Sequence, residues 1–255
     1  METAVFSAAS LFHADDDSDN DDSRRDVTQV GAEGESDEQA LEYEERLHKF
    51  PGVDLSIREF SCHQLNANLL WPGTFFFTDW LVKNPSILEG QRILELGSGT
   101  GALAIFLRKT FGVDITTSDY DDKDIEENIA HNCRANNLDV LPHIRHTWGD
   151  PFPILRPDMN IVIASDILLY VKQYPNLITT LSFLLKDSDH NGQKGLCTNI
   201  TIKSGVQVVA RYPMFLMSWR RRIGKDQSIF FEGCEKAGLE VQHLGDLVYL
   251  INKKN

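Results

Sequence analysis

From Arg92 to Lys109 the chain passes from a short apolar strand, Arg92-Ile93-Leu94-Glu95-Leu96, through the turn Gly97-Ser98-Gly99-Thr100-Gly101, into a helix that starts at Ala102. Glycines spaced this closely let a chain reverse sharply and leave no Cβ between its backbone and a ligand. The helix behind them presents free N–H groups and a partial positive charge at the same point. In an open α/β sheet, ligands sit outside the carboxyl ends of the strands, so a turn of this kind implies a site and a fold together.

The rest of the chain is patterned to match. Val113 to Ser118 reads as a second strand ending at Asp119, and Asp122 to Asn136 as a helix with Ile125, Ile129 and Cys133 on one face. Asp121, Asp122 and Asp124 suit the start of that helix. Strands are predicted at His143–Thr147, Asn160–Ser165 (closed by Asp166) and Gly195–Lys203, and helices at Tyr174–Leu185 and Asp226–Ala237. Gly238–His243 and Leu247–Asn252 read as a closing antiparallel pair. This alternation predicts an α/β fold, a Rossmann-like sheet with helices on both faces. Upstream, Val53, Leu55 and Ile57 alternate with polar residues as in a half-buried strand, which Phe60 and Leu65 would continue into a hairpin. An apolar helix from Thr74 to Val82 ends at Asn84-Pro85. We expect three parts: a disordered acidic tail over 1–40, an extension packed on the core over 41–90, and the main domain over 91–255.

Charge divides the chain in the same way. The formal net charge is -13, yet residues 1–45 alone hold 15 acids against Arg24 and Arg25. Residues 46–255 carry 23 bases and 23 acids, so the body is neutral. Like-charge repulsion and scarce apolar surface leave the tail without a core. A neutral body does not exclude RNA or an acidic protein as a partner. The stretch from Arg211 to Lys225, with Arg220-Arg221-Arg222 beside Tyr212, Phe215 and Trp219, reads either as a solvated face or as a rim for such a partner. It is also a candidate receptor for the tail. No run of 18 apolar residues offers a membrane span, and Met1-Glu2-Thr3 lacks the basic start of a secretory signal. Cys62, Cys133, Cys197 and Cys234 contain no CxxC pair and read as free thiols. His143 and His146 would face opposite ways on a strand, so no metal site is expected. These features suggest a cytoplasmic chain, with the nucleus also open to it, and a monomer.

Two ligands fit the glycine turn. Gly97-x-Gly99-x-x-Ala102 satisfies the dinucleotide pattern, and Asp119 lies 22 residues beyond Gly97, near the spacing of a ribose-binding acid. Against a nicotinamide cofactor stand Glu95 and the third glycine, Gly101. Leu94-Glu95-Leu96-Gly97-Ser98-Gly99-Thr100-Gly101 closely resembles the first motif of the seven-strand methyltransferases that use S-adenosylmethionine (SAM). Trp71-Pro72 ahead of it, Trp148-Gly149, Ser165-Asp166 and a late helix around Phe230-Phe231 narrow the resemblance to methyltransferase family 16. That group is rich in protein-lysine methyltransferases, and the resemblance covers roughly residues 50–252.

The resemblance implies a class I methyltransferase sheet with an N-terminal hairpin extension, SAM as cofactor and a protein substrate. It implies that Asp119 holds the ribose hydroxyls, that Trp71 packs beside the cofactor and that Trp148 lies by the adenine. Glu95, Gly97, Ser98, Gly99, Gly101 and Ser165 complete the implied cofactor set. Asp166 and Tyr170 are the implied catalytic pair. The family spacing is Asp-x-x-Tyr, whereas Asp166-Ile167-Leu168-Leu169 puts leucine at the tyrosine position, with Tyr170 one residue later. RNA or small-molecule methylation and a non-catalytic SAM-binding module remain open beside protein-lysine methylation.

Overall fold

The computed structural model describes residues 42–61, 63–155, 157–186, 197–203, 205, 207–220 and 228–254. The expected tail, Cys62 and the Arg221, Arg222 and Lys225 part of the basic stretch lie outside the described residues.

The first elements are β1 (Tyr43–Phe50), β2 (Val53–Phe60) and α1 (Pro72–Lys83). Then come β3 (Arg92–Leu96), α2 (Ala102–Phe111), β4 (Asp114–Asp119), α3 (Lys123–Ala135), β5 (His143–Arg145) and β6 (Ile161–Ser165). The last are α4 (Tyr174–Leu184), β7 (Cys197–Thr201), β8 (Gln207–Arg211), β9 (Met214–Ser218), α5 (Ser228–Lys236), β10 (Leu239–Gly245) and β11 (Val248–Lys253).

Seven strands form one sheet in the order β10-β11-β9-β6-β3-β4-β5. From β9 to β5 neighbours are parallel, while β11 joins β9 and β10 joins β11 antiparallel. The pleat deals side chains alternately to two cores. Ile93, Ile161, Ile163, Met214 and Leu216 face α1, α2 and α3. Leu94, Leu96, Val162, Ala164, Phe215 and Met217 face α4 and α5. The extension belongs to the first core, where Phe50, Leu55 and Ile57 pack with Phe77, Leu81 and Phe106.

Three expectations need correction. The hairpin partner of β2 precedes it: Phe50 pairs with Val53 and Tyr43 with Phe60, so the hairpin does not run on toward Leu65. The strand expected at Gly195–Lys203 pairs with β8 in a separate two-stranded sheet. Its place in the main sheet goes to β9, which lies within the stretch read as a basic rim. Phe215 and Trp219 are consequently buried core residues and cannot line a surface there.

Strand β2 meets α3 along its free edge. Asn128, Asn132 and Asn136 recur every four residues on α3 and its C-cap, all buried. Asn132 Oδ1 accepts from the Arg58 amide at 2.7 Å and Asn136 Oδ1 from the Ser56 amide at 3.1 Å. Their Nδ2 groups, with that of Asn128, donate back to the Arg58 and Ser56 carbonyls. Asparagine side chains thus replace the missing neighbouring strand, since buried backbone polar groups must find partners. Asn132 also donates to the Thr100 carbonyl at 2.9 Å, tying this edge to the glycine turn. We expect Asn132→Ala to cost about 2–3 kcal/mol by stranding these groups, read as a lower urea midpoint with unchanged slope.

Candidate active site

The glycine turn joins β3 to α2 at the carboxyl end of the sheet. Gly97 has φ +65°, and a Cβ there would come within 2.7 Å of the Ile167 side chain, so only glycine fits. Ser98 is buried and locks the turn to β4: its amide donates to the Ser118 carbonyl, and its hydroxyl accepts from the Ser118 amide, both at 3.1 Å.

Asp119 ends β4 and faces this turn. One carboxylate oxygen accepts from the Gly99 amide at 2.6 Å and the other from the Tyr120 amide at 2.7 Å. Burial pushes its carboxyl above the usual range, and these amides pull the other way. Glu95 lies behind the turn, only 2% exposed, on the sheet face that packs α2. Desolvation raises its pKa to about 8, opposed by Ser98 and the Ala104 amide in the first turn of α2. That helix begins at Gly101 without a side-chain cap, and the Glu95 carboxyl accepts from the Ala104 amide in its first turn.

On the other side of β3, β6 ends at Ser165-Asp166. Asp166 is buried, has φ +53° and accepts from the Gly73 amide at 2.6 Å. A Cβ on Gly73 would lie 2.5 Å from that carboxyl group, so the glycine is what lets helix and carboxylate meet. Ser165 and Thr74 share a hydroxyl hydrogen bond of 2.9 Å. Together these fasten the N-terminus of α1 to the end of β6 and fix Trp71, its N-cap residue, at the site. The Trp71 indole donates to the Asn66 carbonyl at 3.0 Å.

Trp148 follows β5, and its ring edge would lie 3.5 Å from a Cβ on Gly97. Gly149 turns beneath it, its amide donating to Thr180 of α4 at 3.1 Å. Because the strand order is β6-β3-β4-β5, Asp166 and Asp119 flank the glycine turn from opposite sides. The cleft across these strand ends takes in about 730 Å³ of space between atoms, part of it open solvent. Of the residues singled out from sequence, Trp71, Gly97, Gly99, Asp119, Trp148, Ser165, Asp166 and Tyr170 line it. Glu95, Ser98 and Gly101 do not; they build the turn from behind. Leu169 and Tyr170 both reach the cleft, so the late position of the tyrosine does not remove it.

Sequence reasoning missed Asn66, Ile167 and His146, which also line the cleft, and His63, which holds the lining residues Leu65 and Ala67 by their amides. His63 Nδ1 accepts from the Leu65 and Ala67 amides, and Nε2 faces Asp122 at 3.3 Å. Nothing in a loop sequence marks such a histidine, whose partners are two main-chain amides and the distant Asp122 carboxylate. His143 and His146 have separate partners, Thr117 and the Asp150 carbonyl.

The cleft suits SAM. It offers a glycine turn at a helix N-terminus, a desolvated carboxylate that hydroxyl donors would stabilise, and two tryptophans for a flat, cationic ligand.

The architecture is that of a Rossmann-like methyltransferase. A 16S rRNA N2 G1207 methyltransferase from T. thermophilus, solved with AdoMet and guanosine, superposes with a TM-score of 0.54 over 84% of this chain and 51% of that one. Sequence identity is 14%, so the likeness is one of fold. A family model described as lysine methyltransferase matches residues 49–199, and the chain belongs to that family. A protein N-terminal and lysine N-methyltransferase of Aspergillus fumigatus is 27% identical, covering 54% of this chain and 58% of its own. The EEF1A lysine methyltransferase 3 of Xenopus tropicalis is 28% identical over 55% of this chain and 63% of its own length. A histone-arginine methyltransferase of Xenopus laevis is 27% identical over 46% and 51%. The match therefore spans less than two thirds of each of these relatives.

Glu95 carries a pH consequence. Between its ordinary value of 4.5 and about 8, the folded chain keeps a proton that the unfolded chain releases. Stability from this group is full below 4.5 and is lost as pH rises toward 8. Asp119 is shifted in the same direction. The unfolding free energy of Glu95→Gln, relative to wild type, is expected to rise as the pH is raised through this window, measured by urea titration at several pH values.

Proposed function

We propose that this chain transfers the methyl group of SAM to the side-chain amine of a lysine in a protein substrate. The observation that carries the reading is the placement of two buried aspartates on opposite flanks of one glycine turn, Asp119 at the end of β4 and Asp166 just after β6, within a single cleft. Asp119 is the cofactor-side acid and Asp166 the acceptor-side acid. The family match and the names of the relatives support lysine in a protein as the target.

When bound, SAM supplies a methyl carbon already activated by its sulfonium, so the protein's task is alignment and exclusion of water. Asp119, still able to accept further hydrogen bonds, would hold the ribose hydroxyls, with Trp148 beside the adenine and Trp71 along the cofactor. An attacking lysine must be neutral, because ammonium has no lone pair. The apolar walls formed by Trp71, Ile167 and Leu169 lower an amine's pKa by desolvation. A carboxylate raises it, so Asp166 acts as the group that positions the amine, with the Tyr170 hydroxyl beside it. One oxygen of Asp166 is already engaged by the Gly73 amide.

Incubating the chain with labelled SAM and a cell lysate tests the proposal. Label is expected in protein, recovered as methyllysine after hydrolysis; label in RNA or methylarginine would contradict it. Asp119→Ala removes a charge-assisted contact worth roughly 1.5–3 kcal/mol, so calorimetry should show SAM binding weakened about 10- to 150-fold. Asp166→Ala would also release α1, so Asp166→Asn, which keeps an acceptor for Gly73, is the sharper probe. It is expected to leave SAM affinity within about threefold and to lower kcat at least about 100-fold.

A further inference from the structure

Tyr170 sits after the end of β6 in a segment without regular structure, and nothing in its own stretch of chain directs its hydroxyl. The direction comes from the extension. The Asn66 side-chain amide donates a hydrogen bond to the Tyr170 hydroxyl, across 104 residues of sequence.

Asn66 is itself held with unusual completeness. Its φ is +55°, a left-handed conformation that asparagine tolerates better than most residues but that persists only where surroundings enforce it. Here they do. The amides of Leu65 and Ala67, on either side, both donate to His63 Nδ1, at 3.2 and 3.3 Å. The Asn66 amide donates to the His63 carbonyl at 2.9 Å, and its carbonyl accepts from the Trp71 indole. Every main-chain polar group of Asn66 is therefore used to set its orientation. What remains is the side chain, and it meets Tyr170. Trp71, Asn66, Tyr170 and Asp166 all line the one cleft.

We propose that Asn66 is a positioning residue for methyl transfer: it fixes the Tyr170 hydroxyl so that the oxygen faces the acceptor amine beside Asp166. This rests on the function proposed above. With one lone pair of the phenol taken by the Asn66 amide, the other accepts an N–H of the incoming lysine. The amine then has two fixed acceptors, the Asp166 carboxylate and the Tyr170 oxygen, which leave its own lone pair to point at the methyl carbon. Asn66 touches neither reactant in this scheme. Its contribution is to orient, which affects turnover more than binding.

Asn66→Gly tests this cleanly. Glycine is at ease at positive φ and keeps both main-chain bonds, so only the side-chain amide is lost. The variant should bind SAM within about threefold of wild type and lose about tenfold or more in kcat. Tyr170→Phe should show a loss at least as large, and the double variant should be no slower than Tyr170→Phe alone, because the two residues act as one unit. Wild-type kcat in Asn66→Gly would overturn the proposal. So would losses that multiply in the double variant, or a fall in SAM affinity that accounts for the whole effect. A readout independent of activity is the Asn66 side-chain amide resonance, identified by its absence in Asn66→Gly. It should move in Tyr170→Phe, and an unmoved signal would overturn the contact itself. A wild-type chain that labels no protein would contradict the proposed function instead, leaving the resonance test to decide the contact.

Discussion

The contact between the Asp166 carboxylate and the Gly73 amide organises the whole site. The N-terminus of α1 has free N–H groups and no side-chain cap of its own. A buried carboxylate from the end of β6 fills that role, at 2.6 Å, and the missing Cβ of Gly73 makes the approach possible. Desolvated charge and helix terminus each satisfy the other. Through this bond the extension is carried to the carboxyl end of the sheet. Trp71 then stands at the head of α1, its indole holds Asn66, and Asn66 holds Tyr170. An acid that reads in sequence as the end of a strand is also the point where two halves of the cleft are joined.

On the opposite flank and beneath the turn, two further carboxylates show the same economy. Asp119 and Glu95 are both desolvated, and both lean on amides of the glycine turn or of the helix behind it. Only Asp119 reaches the cleft. Glu95 stabilises the turn from beneath, at the cost of a raised pKa. The motif that names a ligand in sequence thus contains residues of two kinds, those that meet the cleft and those that hold the backbone in shape.

Much of this was legible. The strand-turn-helix around Gly97, the acids closing β4 and β6, and the closing antiparallel pair all follow from short apolar runs with punctuation at their ends. What sequence concealed has physical reasons. Strand β1, Tyr43-Glu44-Glu45-Arg46-Leu47-His48-Lys49-Phe50, is exposed along nearly all its length, so no alternation marks it. Strand β9, Met214-Phe215-Leu216-Met217-Ser218, is buried on both faces, and a brief apolar run beside arginines is easily taken for part of their surface. Asn128, Asn132 and Asn136 read as the polar side of a helix, because only the arrival of β2 gives them main-chain partners. Asn66 and His63 escaped for the same reason: their roles depend on groups distant in sequence or on the backbone itself.

The central claim is that this cleft is built for SAM. Calorimetric titration of the purified chain with SAM and, separately, with NAD tests it most directly. The account predicts saturable binding of SAM at one site per chain and no heat of binding for NAD. Binding of NAD in preference to SAM, or of neither, would contradict it.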